Sequence, residues 1–295
     1  MDKKKSLAIF YCFLVSLLFV LHFYVAKGVL SSVSPQILGG FRGFLGGLVI
    51  LLFQYRKIDF KFQHKFLSTY VVIAFFGFFI NQILFLNGLK MSTPLNTSII
   101  MNTIPLMTAL IAMVFKIEIF RWMKLGGVIL GFSMVTILAL HSRAGQLNTN
   151  QFGDLYIFLS VLCLCVATNI SKTLFKKGGD PTLNSGTMLL FGGLALLIVG
   201  IADFVPMLEF TFSSPENFGK ILFEVFFSTA LTYYLSFQAL KYLAPSQSMI
   251  FIYTQPIMTS TIDYFVYDKN IDLTILFIFI GILVSGYLVL TSTPD

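Results

Sequence analysis

Charged residues are scarce in this chain. Asp, Glu, Lys and Arg make up 11% of its 295 residues, while hydrophobic residues make up 57%. Soluble globular domains carry about 25% charged residues, so this composition excludes an ordinary water-soluble protein. The mean hydropathy of +0.86 leads to the same conclusion. We expect most of the chain to lie in lipid, where only helices and closed barrels satisfy their own backbone hydrogen bonds.

Cysteine is also rare, with three residues, Cys12, Cys163 and Cys165. All three fall in apolar stretches, and two of them are two residues apart, which points their thiols away from each other on a helix. This spacing indicates no disulfide framework and no metal site, so we expect cysteines that serve packing. No arrangement of His, Asp, Glu or Ser supports an enzyme, no ATP motif is present, and no cofactor is expected.

Long apolar runs predict ten transmembrane helices, because about 20 apolar residues cross the hydrocarbon core of a bilayer. The first run exceeds the apolar core of a signal peptide, which is about 7–15 residues long, so we predict a retained helix there. A barrel would require short alternating segments instead. The predicted spans cover residues 7–27, 36–53, 67–86, 95–115, 123–140, 155–174, 183–201, 221–239, 246–264 and 273–290.

Lys and Arg are distributed unevenly around these spans. With the amino terminus in the cytoplasm, 14 of the 20 basic residues fall on the cytoplasmic side, in agreement with the positive-inside rule. An even number of spans then places both termini in the cytoplasm, in an integral protein of the cytoplasmic membrane. The net charge of +7 reflects this topology and contact with the lipid bilayer, and nucleic-acid binding is disfavoured.

One spaced motif occurs twice. Leu89-Lys90, Pro94 and Pro105 return 151 residues later as Leu240-Lys241, Pro245 and Pro256. The chain is therefore predicted to contain two copies of one unit, residues 6–140 and 155–290, joined by a loop at 141–154. Five spans per copy is an odd number, so the second copy enters the bilayer from the opposite side. Inverted repeats are typical of secondary transporters, which bind substrate near the midplane between the halves.

Both copies resemble the EamA-type unit of the drug/metabolite transporter superfamily, over nearly the whole chain. In the first copy the matching residues are Lys27, Pro35, Arg42, Leu89, Lys90, Pro94, Pro105, Glu118, Gly126, Gly127 and Gly131. In the second copy they are Ala167, Lys172, Pro181, Leu240, Lys241, Pro245, Pro256, Gly281 and Gly286. The second copy departs at the acidic position, where Lys269 replaces the usual Glu, with Asp268 beside it. The resemblance implies ten helices in two five-helix halves around a central cavity, and transport of small metabolites by alternating access.

Pro105 and Pro256 lie inside the fourth and ninth spans, where each removes a backbone hydrogen bond. We predict a helix kink at each, with the two prolines close together beside the cavity. Polar residues in apolar spans must face other helices or a cavity, so we predict an uncharged, aromatic-rich substrate pocket; interhelical hydrogen bonding is the alternative role for each residue. The candidate substrate-binding residues are His22, Tyr24, Asn81, Asn102, Asn169, Tyr233, Tyr253 and Gln255.

Charged residues inside the spans cost about 2.5–3.5 kcal/mol at the membrane centre. Arg42 lies roughly 10 Å from the outer edge, at about 1.5 Å per residue after Pro35. Glu224 enters from the same side to a similar depth, and Asp263 approaches the outer end of its span. We predict that Arg42 pairs with Glu224 or Asp263, as either a gate or a static brace. Glu224 is also the candidate carrier of a coupling proton.

Glycines recur at helical spacing in the second span, at Gly39, Gly40, Gly43, Gly46 and Gly47. Small residues at this spacing let a neighbouring helix approach closely in a membrane. The pattern therefore predicts a tight helix contact rather than a phosphate-binding loop.

The favoured function is a secondary transporter of a small metabolite, specifically an exporter of amino acids or similar amphipathic solutes. The alternative is a non-transporting membrane sensor or assembly partner. The substrate, the direction of transport, the coupling ion and the choice between monomer and homodimer stay open at this point.

Overall fold

The structure is a computed structural model that describes residues 3–54, 56, 59–92, 97, 100–119, 121–142, 151–267 and 273–292. Helices and short connections account for these residues, and no strand occurs among them. The predicted all-α fold class is therefore confirmed.

The long helical stretches of the described residues are numbered α1 to α10 in chain order. Seven are single helices: α1 (Lys3–Leu30), α2 (Pro35–Gln54), α4 (Ile104–Val114), α5 (Trp122–Ser142), α6 (Gln151–Lys176), α7 (Pro181–Val199) and α10 (Leu273–Thr291). α3 joins Phe60–Gln63, a 3-10 turn at His64–Phe66, Leu67–Ala74, a π-helical segment at Phe75–Ile80 and Asn81–Met91. α8 joins Pro215–Val225, a π-helical segment at Phe226–Leu231 and Thr232–Tyr242. α9 joins Pro245–Met249, a 3-10 segment at Ile250–Thr254 and Gln255–Tyr267.

Five helical regions are both long and apolar enough to cross a membrane, at residues 3–30, 35–54, 61–88, 151–176 and 181–199. Shorter apolar helices occupy residues 104–114, 122–137 and 276–291. The structure thus contains several helices capable of spanning a bilayer. The number ten stays a prediction, because parts of the fourth span and most of the predicted loop at 141–154 lie outside the described residues.

One short helix differs from the sequence prediction, which assigns only a connection between the seventh and eighth spans. Phe204–Phe212 is helical there. Its Met207 is fully buried in an apolar cluster with Val29 of α1, Ile37 of α2 and Ile221 of α8. A nine-residue apolar helix is too short to cross a membrane, so a search for spans overlooks it.

Helix pairs recur between the two halves of the chain. The most extensive contact is between α2 and α7, and α5 packs along α10. α3 packs on α6 as α8 packs on α1, and the first turn of α9 contacts α4. Exchanging the halves turns the α3–α6 pair into the α8–α1 pair and leaves the other three pairs unchanged. The helix contacts therefore have the pattern of two equivalent halves.

Glycines form the contact between α2 and α7. A Cβ atom on Gly47 would lie 2.4 Å from the backbone nitrogen of Leu190, and one on Gly193 would lie 2.2 Å from the backbone nitrogen of Phe44. No side chain fits at such distances, so the two backbones touch directly. The tight helix contact predicted from the glycine pattern is confirmed.

The repeat offset is visible in the backbone as well as in the sequence. The π-helical segments Phe75–Ile80 and Phe226–Leu231 are 151 residues apart. The same offset relates Thr103 to Thr254, and each of these hydroxyls donates a 2.6 Å hydrogen bond to the carbonyl three residues earlier. Both threonines lie two residues before a proline, at a turn in one half and at the 3-10 segment of α9 in the other, and each proline is the second residue of the α-helical segment that follows. Equivalent helix irregularities thus occur in both halves.

Candidate functional site

Three polar side chains meet where the two halves join, and we call them the triad: His22 of α1, Arg42 of α2 and Glu224 of α8. His22 Nδ1 lies 2.9 and 2.8 Å from the two carboxylate oxygens of Glu224, so this nitrogen donates to them. Arg42 Nη1 donates to Glu224 Oε2 at 3.3 Å. The contact between Arg42 and Glu224 is one of the two pairings that the sequence predicts.

Arg42 also lies against the imidazole ring of His22. Its Nη1 is 3.2 Å from Nε2 and 3.4 Å from Nδ1 of the ring. A donor in the ring plane that reaches one of these nitrogens lies far from the other, so the nearly equal distances place Nη1 over the ring face. The guanidinium is thus held by the carboxylate and by the ring at the same time. In the described part of the chain, no three His, Cys, Asp or Glu side chains come together as a metal-binding group.

The triad is buried inside the helix bundle. Glu224 is fully buried, while the side chains of His22 and Arg42 are each 13% exposed. Ser228, one turn further along α8, donates to both the carboxylate of Glu224, at 3.0 Å, and its backbone carbonyl, at 2.9 Å. The π-helical segment begins two residues after Glu224, and such segments are frequent at functional sites.

The positions equivalent to the triad in the other half are apolar. The repeat offset is 145 residues between α1 and α6, 146 between α2 and α7, and 151 between α3 and α8. The counterparts of His22, Arg42 and Glu224 are therefore Ala167, Met188 and Ile73. These three belong to one buried apolar cluster. The contact that is equivalent to the triad in the repeat is thus made without any charge. The packing of these helices therefore does not require charged residues.

Tyr24 and Asn169 make equivalent contacts in the two halves. The Tyr24 hydroxyl donates to the carbonyl of Thr259 at 3.4 Å, and Asn169 Nδ2 donates to the carbonyl of Thr108 at 3.3 Å. Tyr24 and Asn169 differ by 145 residues, and Thr108 and Thr259 by 151 residues. This match supports the repeat offsets of 145 and 151 residues. It also places both candidate residues where helices of the two halves cross.

Other candidate substrate-binding residues contact neighbouring helices. The amide of Asn81 is buried and donates to the carbonyl of Ser160 on α6 at 2.8 Å. This is an interhelical hydrogen bond, the role that the sequence allows as an alternative to substrate binding. The ring of Tyr233 packs edge-on against Phe78, with 5.9 Å between the ring centroids. Two more candidates lie beside the helix irregularities: Asn102, which is buried, and Gln255, which is half-buried.

Tyr253 is placed apart from the other candidates and has a packing role. Its ring is fully buried in a cluster of α4, α5, α9 and α10, and its hydroxyl donates to the carbonyl of Val128 at 3.3 Å. A Cβ on Gly131 would lie 2.4 Å from this ring, so the glycine of α5 provides the room. The assignment of Tyr253 to the substrate pocket stays a prediction. The side chain of Asp263, the second candidate partner of Arg42, lies outside the described residues, as do Asp268 and Lys269.

A second buried ion pair lies at the other end of the bundle, and its carboxylate also binds the second half. Glu118, after α4, accepts hydrogen bonds from Lys124 Nζ at 2.7 Å, from the backbone N–H of Ser246 at 2.7 Å and from its hydroxyl at 2.6 Å. It thereby caps the start of α9, where an acidic group is favourable. In the sequence Glu118 stands out only as part of the family motif, because nothing local indicates a partner 128 residues away.

This second pair marks the end of the bundle at which α1 begins and α10 ends, which we call the terminal end. There Cys12 of α1 contacts Ser248 of α9 at 3.7 Å. Gln247 Nε2 donates to the carbonyl of Leu290, near the end of α10, at 3.0 Å. The triad belongs to the opposite half of the bundle, because His22 is near the far end of α1. We call that half the triad end.

A cavity of 540 Å³ lies between α3, α4 and α6 at the terminal end. Small-molecule pockets have volumes of about 300–1,000 Å³. Asn169 is the predicted substrate-binding residue that lines it. The lining also includes Thr69, Ile111, Phe115, Thr173 and Lys177.

At the triad end, a lysine side chain lies in the equivalent gap. The counterparts of Thr69 and Thr173 are Lys220 and Gly28, and Lys220 Nζ lies 3.8 Å from the position of a Cβ on Gly28. The side chain of Lys220 thus occupies the gap between α8 and α1, and its ammonium pairs with Glu216 at 2.6 Å. The two ends therefore differ in the side chains that lie between the equivalent helices.

Apolar helices, two equivalent halves and polar groups between the halves define the class of repeat-built membrane transporters. The model of the EamA-like transporter family matches residues 6–140 and 151–291. The chain belongs to this family. It is an integral membrane protein and a transporter rather than an enzyme.

Curated proteins and a solved structure resemble the chain. An uncharacterized transporter of Bacillus subtilis, YyaM, is 26% identical over 82% of this chain and 80% of its own length. An S-adenosylmethionine/S-adenosylhomocysteine transporter of Chlamydia muridarum is 26% identical over 67% of this chain and 62% of its own length. A crystal structure superposes with a TM-score of 0.77 over 98% of both chains at 13% identity, which shows the shared fold.

Proposed function

We propose that the protein is a secondary transporter that moves a small amphipathic metabolite by alternating access, with the triad as the gate at one end. The triad supports this proposal because it joins the halves: His22 and Arg42 belong to the first repeat and Glu224 to the second. In transporters built from inverted repeats, one half moves against the other around a central site. Such a movement must break the hydrogen bonds of the triad.

A gate fits the triad better than a static brace does. Replacing a buried ion pair by apolar residues of similar size is often neutral or stabilising, whereas removing one partner is strongly destabilising. The other half of this chain already has the apolar version of the same contact, with Ile73, Ala167 and Met188. Polar groups are hydrated when they separate, so a charged contact opens to water at a lower cost than an apolar one. A contact that must open and close again therefore explains the charge at the triad.

The two ends of the bundle support an assignment of the conformation. The cavity lies at the terminal end, whereas Lys220, the Tyr24–Thr259 contact and the triad connect helices at the opposite end. If both termini are cytoplasmic, as the distribution of Lys and Arg predicts, this conformation is open to the cytoplasm and closed to the outside. We propose this orientation, in the cytoplasmic membrane.

The proposed substrates are amino acids and similar amphipathic solutes, and the proposed direction is export. The names of the chlamydial relatives add S-adenosylmethionine and S-adenosylhomocysteine to this class, since both compounds carry an amino-acid group on a larger body. A proton is the candidate coupling ion. Glu224 is its candidate carrier.

Flux measurements in proteoliposomes test the proposal. The panel consists of labelled amino acids, nucleosides, amphipathic amines, S-adenosylmethionine and S-adenosylhomocysteine, each measured with and without a pH gradient. We expect flux of at least one compound, and we expect Arg42→Gln to abolish it while the exposed control Lys61→Gln retains it. Unchanged transport and expression of Arg42→Gln would refute the gate, and pH-independent flux would refute proton coupling. Inactivity over the whole panel with intact folding would favour the sensor or assembly partner.

A further inference from the structure

The cavity at the terminal end has one polar wall. Asn169, Thr173 and Lys177 are spaced four residues apart and line the cavity from α6 and its end. Residues at this spacing lie on one helix face, and eight residues rise about 12 Å along a helix. The wall thus runs from a buried amide through a hydroxyl to an exposed ammonium group. The apolar side chains of Ile111, on α4, and Phe115, directly after it, also line the cavity.

Asn169 leaves a buried acceptor without a partner. Its residue exposure is 2%, and its Nδ2 donates to the carbonyls of Cys165, at 2.9 Å, and Thr108, at 3.3 Å. Both partners are acceptors, so the orientation of the amide is determined and Oδ1 points the other way. Among the described residues, Oδ1 has no hydrogen-bond partner. An unsatisfied buried acceptor costs about 1–3 kcal/mol. Oδ1 is fully covered in this conformation, so a donor group on a bound molecule would recover this energy once the Asn169 amide turns out toward the cavity.

We propose that this cavity binds the transported solute at the terminal end, and that the solute is an elongated amphipathic molecule with a donor at one end and an anionic group at the other. The donor N–H or O–H binds Asn169 Oδ1, the apolar body lies against Ile111 and Phe115, and the anionic group meets Lys177. The span of about 12 Å along the wall exceeds the separation of the two charges of a simple amino acid. This inference rests on the proposed function and narrows its substrate class.

The opposite end of the bundle lacks this wall. By the offset of 145 residues, the counterparts of Asn169, Thr173 and Lys177 are Tyr24, Gly28 and Ser32. These positions offer neither an amide acceptor nor a cation, and Lys220 occupies the space beside Gly28. The wall is therefore a property of one end of this chain and not a consequence of the repeated fold.

Substitution of Asn169 tests the proposed hydrogen bond, and the chain provides a matched control. Asn184 of α7 is also fully buried with an unpartnered Oδ1, yet it is not among the residues that line the cavity. We expect Asn169→Leu to weaken binding of the panel compound with the highest wild-type flux by about tenfold, since one lost hydrogen bond of about 1.4 kcal/mol corresponds to that factor. Asn184→Leu should change the affinity less than twofold, because Asn184 does not line the cavity and no hydrogen bond to the solute is lost. Equal affinities of wild type and Asn169→Leu would overturn the proposal.

Cysteine labelling tests the cavity without any substrate. Thr173→Cys is introduced together with Cys163→Ala, because Cys12 and Cys165 are buried. A negatively charged, membrane-impermeant methanethiosulfonate should label Thr173→Cys from the terminal side, and the panel compound should protect it. Labelling only by an apolar, lipid-soluble maleimide would mean that the cavity faces lipid. This result would overturn the proposed binding site, even if wild-type flux supports the transporter function. Absence of flux together with labelling would instead overturn the proposed function.

Discussion

The triad can be replaced by the residues that the protein itself uses at the equivalent place. The replacement consists of His22→Ala, Arg42→Met, Glu224→Ile and Ser228→Gly. The change to glycine is needed because the counterpart of Ser228 is Gly77. A Cβ on Gly77 would lie 2.8 Å from Sδ of Met188, and Met188 is the counterpart of Arg42. We expect this fourfold variant to fold and to lose gated transport, because an apolar contact gains nothing from hydration when it opens.

Single substitutions should behave differently from the fourfold variant. Glu224→Ile alone leaves Arg42, which is 13% exposed, without its carboxylate. Removing one partner of a buried pair costs about 3–5 kcal/mol, whereas replacing the whole set by apolar residues is neutral or stabilises by about 1–4 kcal/mol. The fourfold variant should therefore be more stable than Glu224→Ile by at least about 3 kcal/mol. At about 2–4 °C per kcal/mol, the difference in Tm is on the order of 10 °C.

Two measurements on the same purified variants check this prediction. Thermal unfolding in detergent compares wild type, Glu224→Ile and the fourfold variant, and flux in proteoliposomes compares their transport. A fourfold variant no more stable than Glu224→Ile would refute the equivalence of the two sites. A fourfold variant that transports at the wild-type rate would refute the gate and leave a static contact.

Three further predictions concern packing, capping and topology. Gly47→Ala should lower the stability by about 1–3 kcal/mol through overpacking, whereas Gly126→Ala, with open space around the position, should raise it by up to about 1 kcal/mol; thermal unfolding distinguishes the two. Glu118→Gln should destabilise the protein by about 3–5 kcal/mol because Lys124 loses its partner, and adding Lys124→Met should recover part of this loss in the same assay. Reporter fusions at both ends of the chain should place both termini in the cytoplasm, and an external carboxyl terminus would contradict the even number of spans.

Much of the fold is encoded in features that can be counted along the chain. Apolar length predicts the positions of the helices, the spacing of the prolines predicts the duplication, and the glycines of α2 predict its contact with α7. Each of these signals is local or periodic. The helix Phe204–Phe212 lacks such a signal, because a short apolar helix at the edge of a bundle has neither the length of a span nor the polarity of a loop.

The site is less predictable, because it depends on which side chains meet across long sequence separations. The cost of charge in a membrane predicts that Arg42 pairs with Glu224 or Asp263. The polar ring of His22 in an apolar span predicts a pocket residue. Nothing in the sequence shows that His22 completes the same cluster, or that Tyr253 fills the room beside Gly131. The partner of Glu118 is equally hidden, since the helix that it caps begins 127 residues later, at Pro245.

The differences between the two halves bear on what sets the direction of transport. A perfectly symmetric inverted repeat would have the same gate at both ends, and its two conformations would be equal in energy. In this chain the counterparts of the triad in the other half are the apolar residues Ala167, Met188 and Ile73. The wall from Asn169 to Lys177 has no counterpart. These differences can favour one conformation at rest, but an equilibrium bias shifts only the populations of the states. The net direction must come from the gradients of solute and coupling ion, so reversing the gradient in proteoliposomes should reverse the flux without any change in the protein.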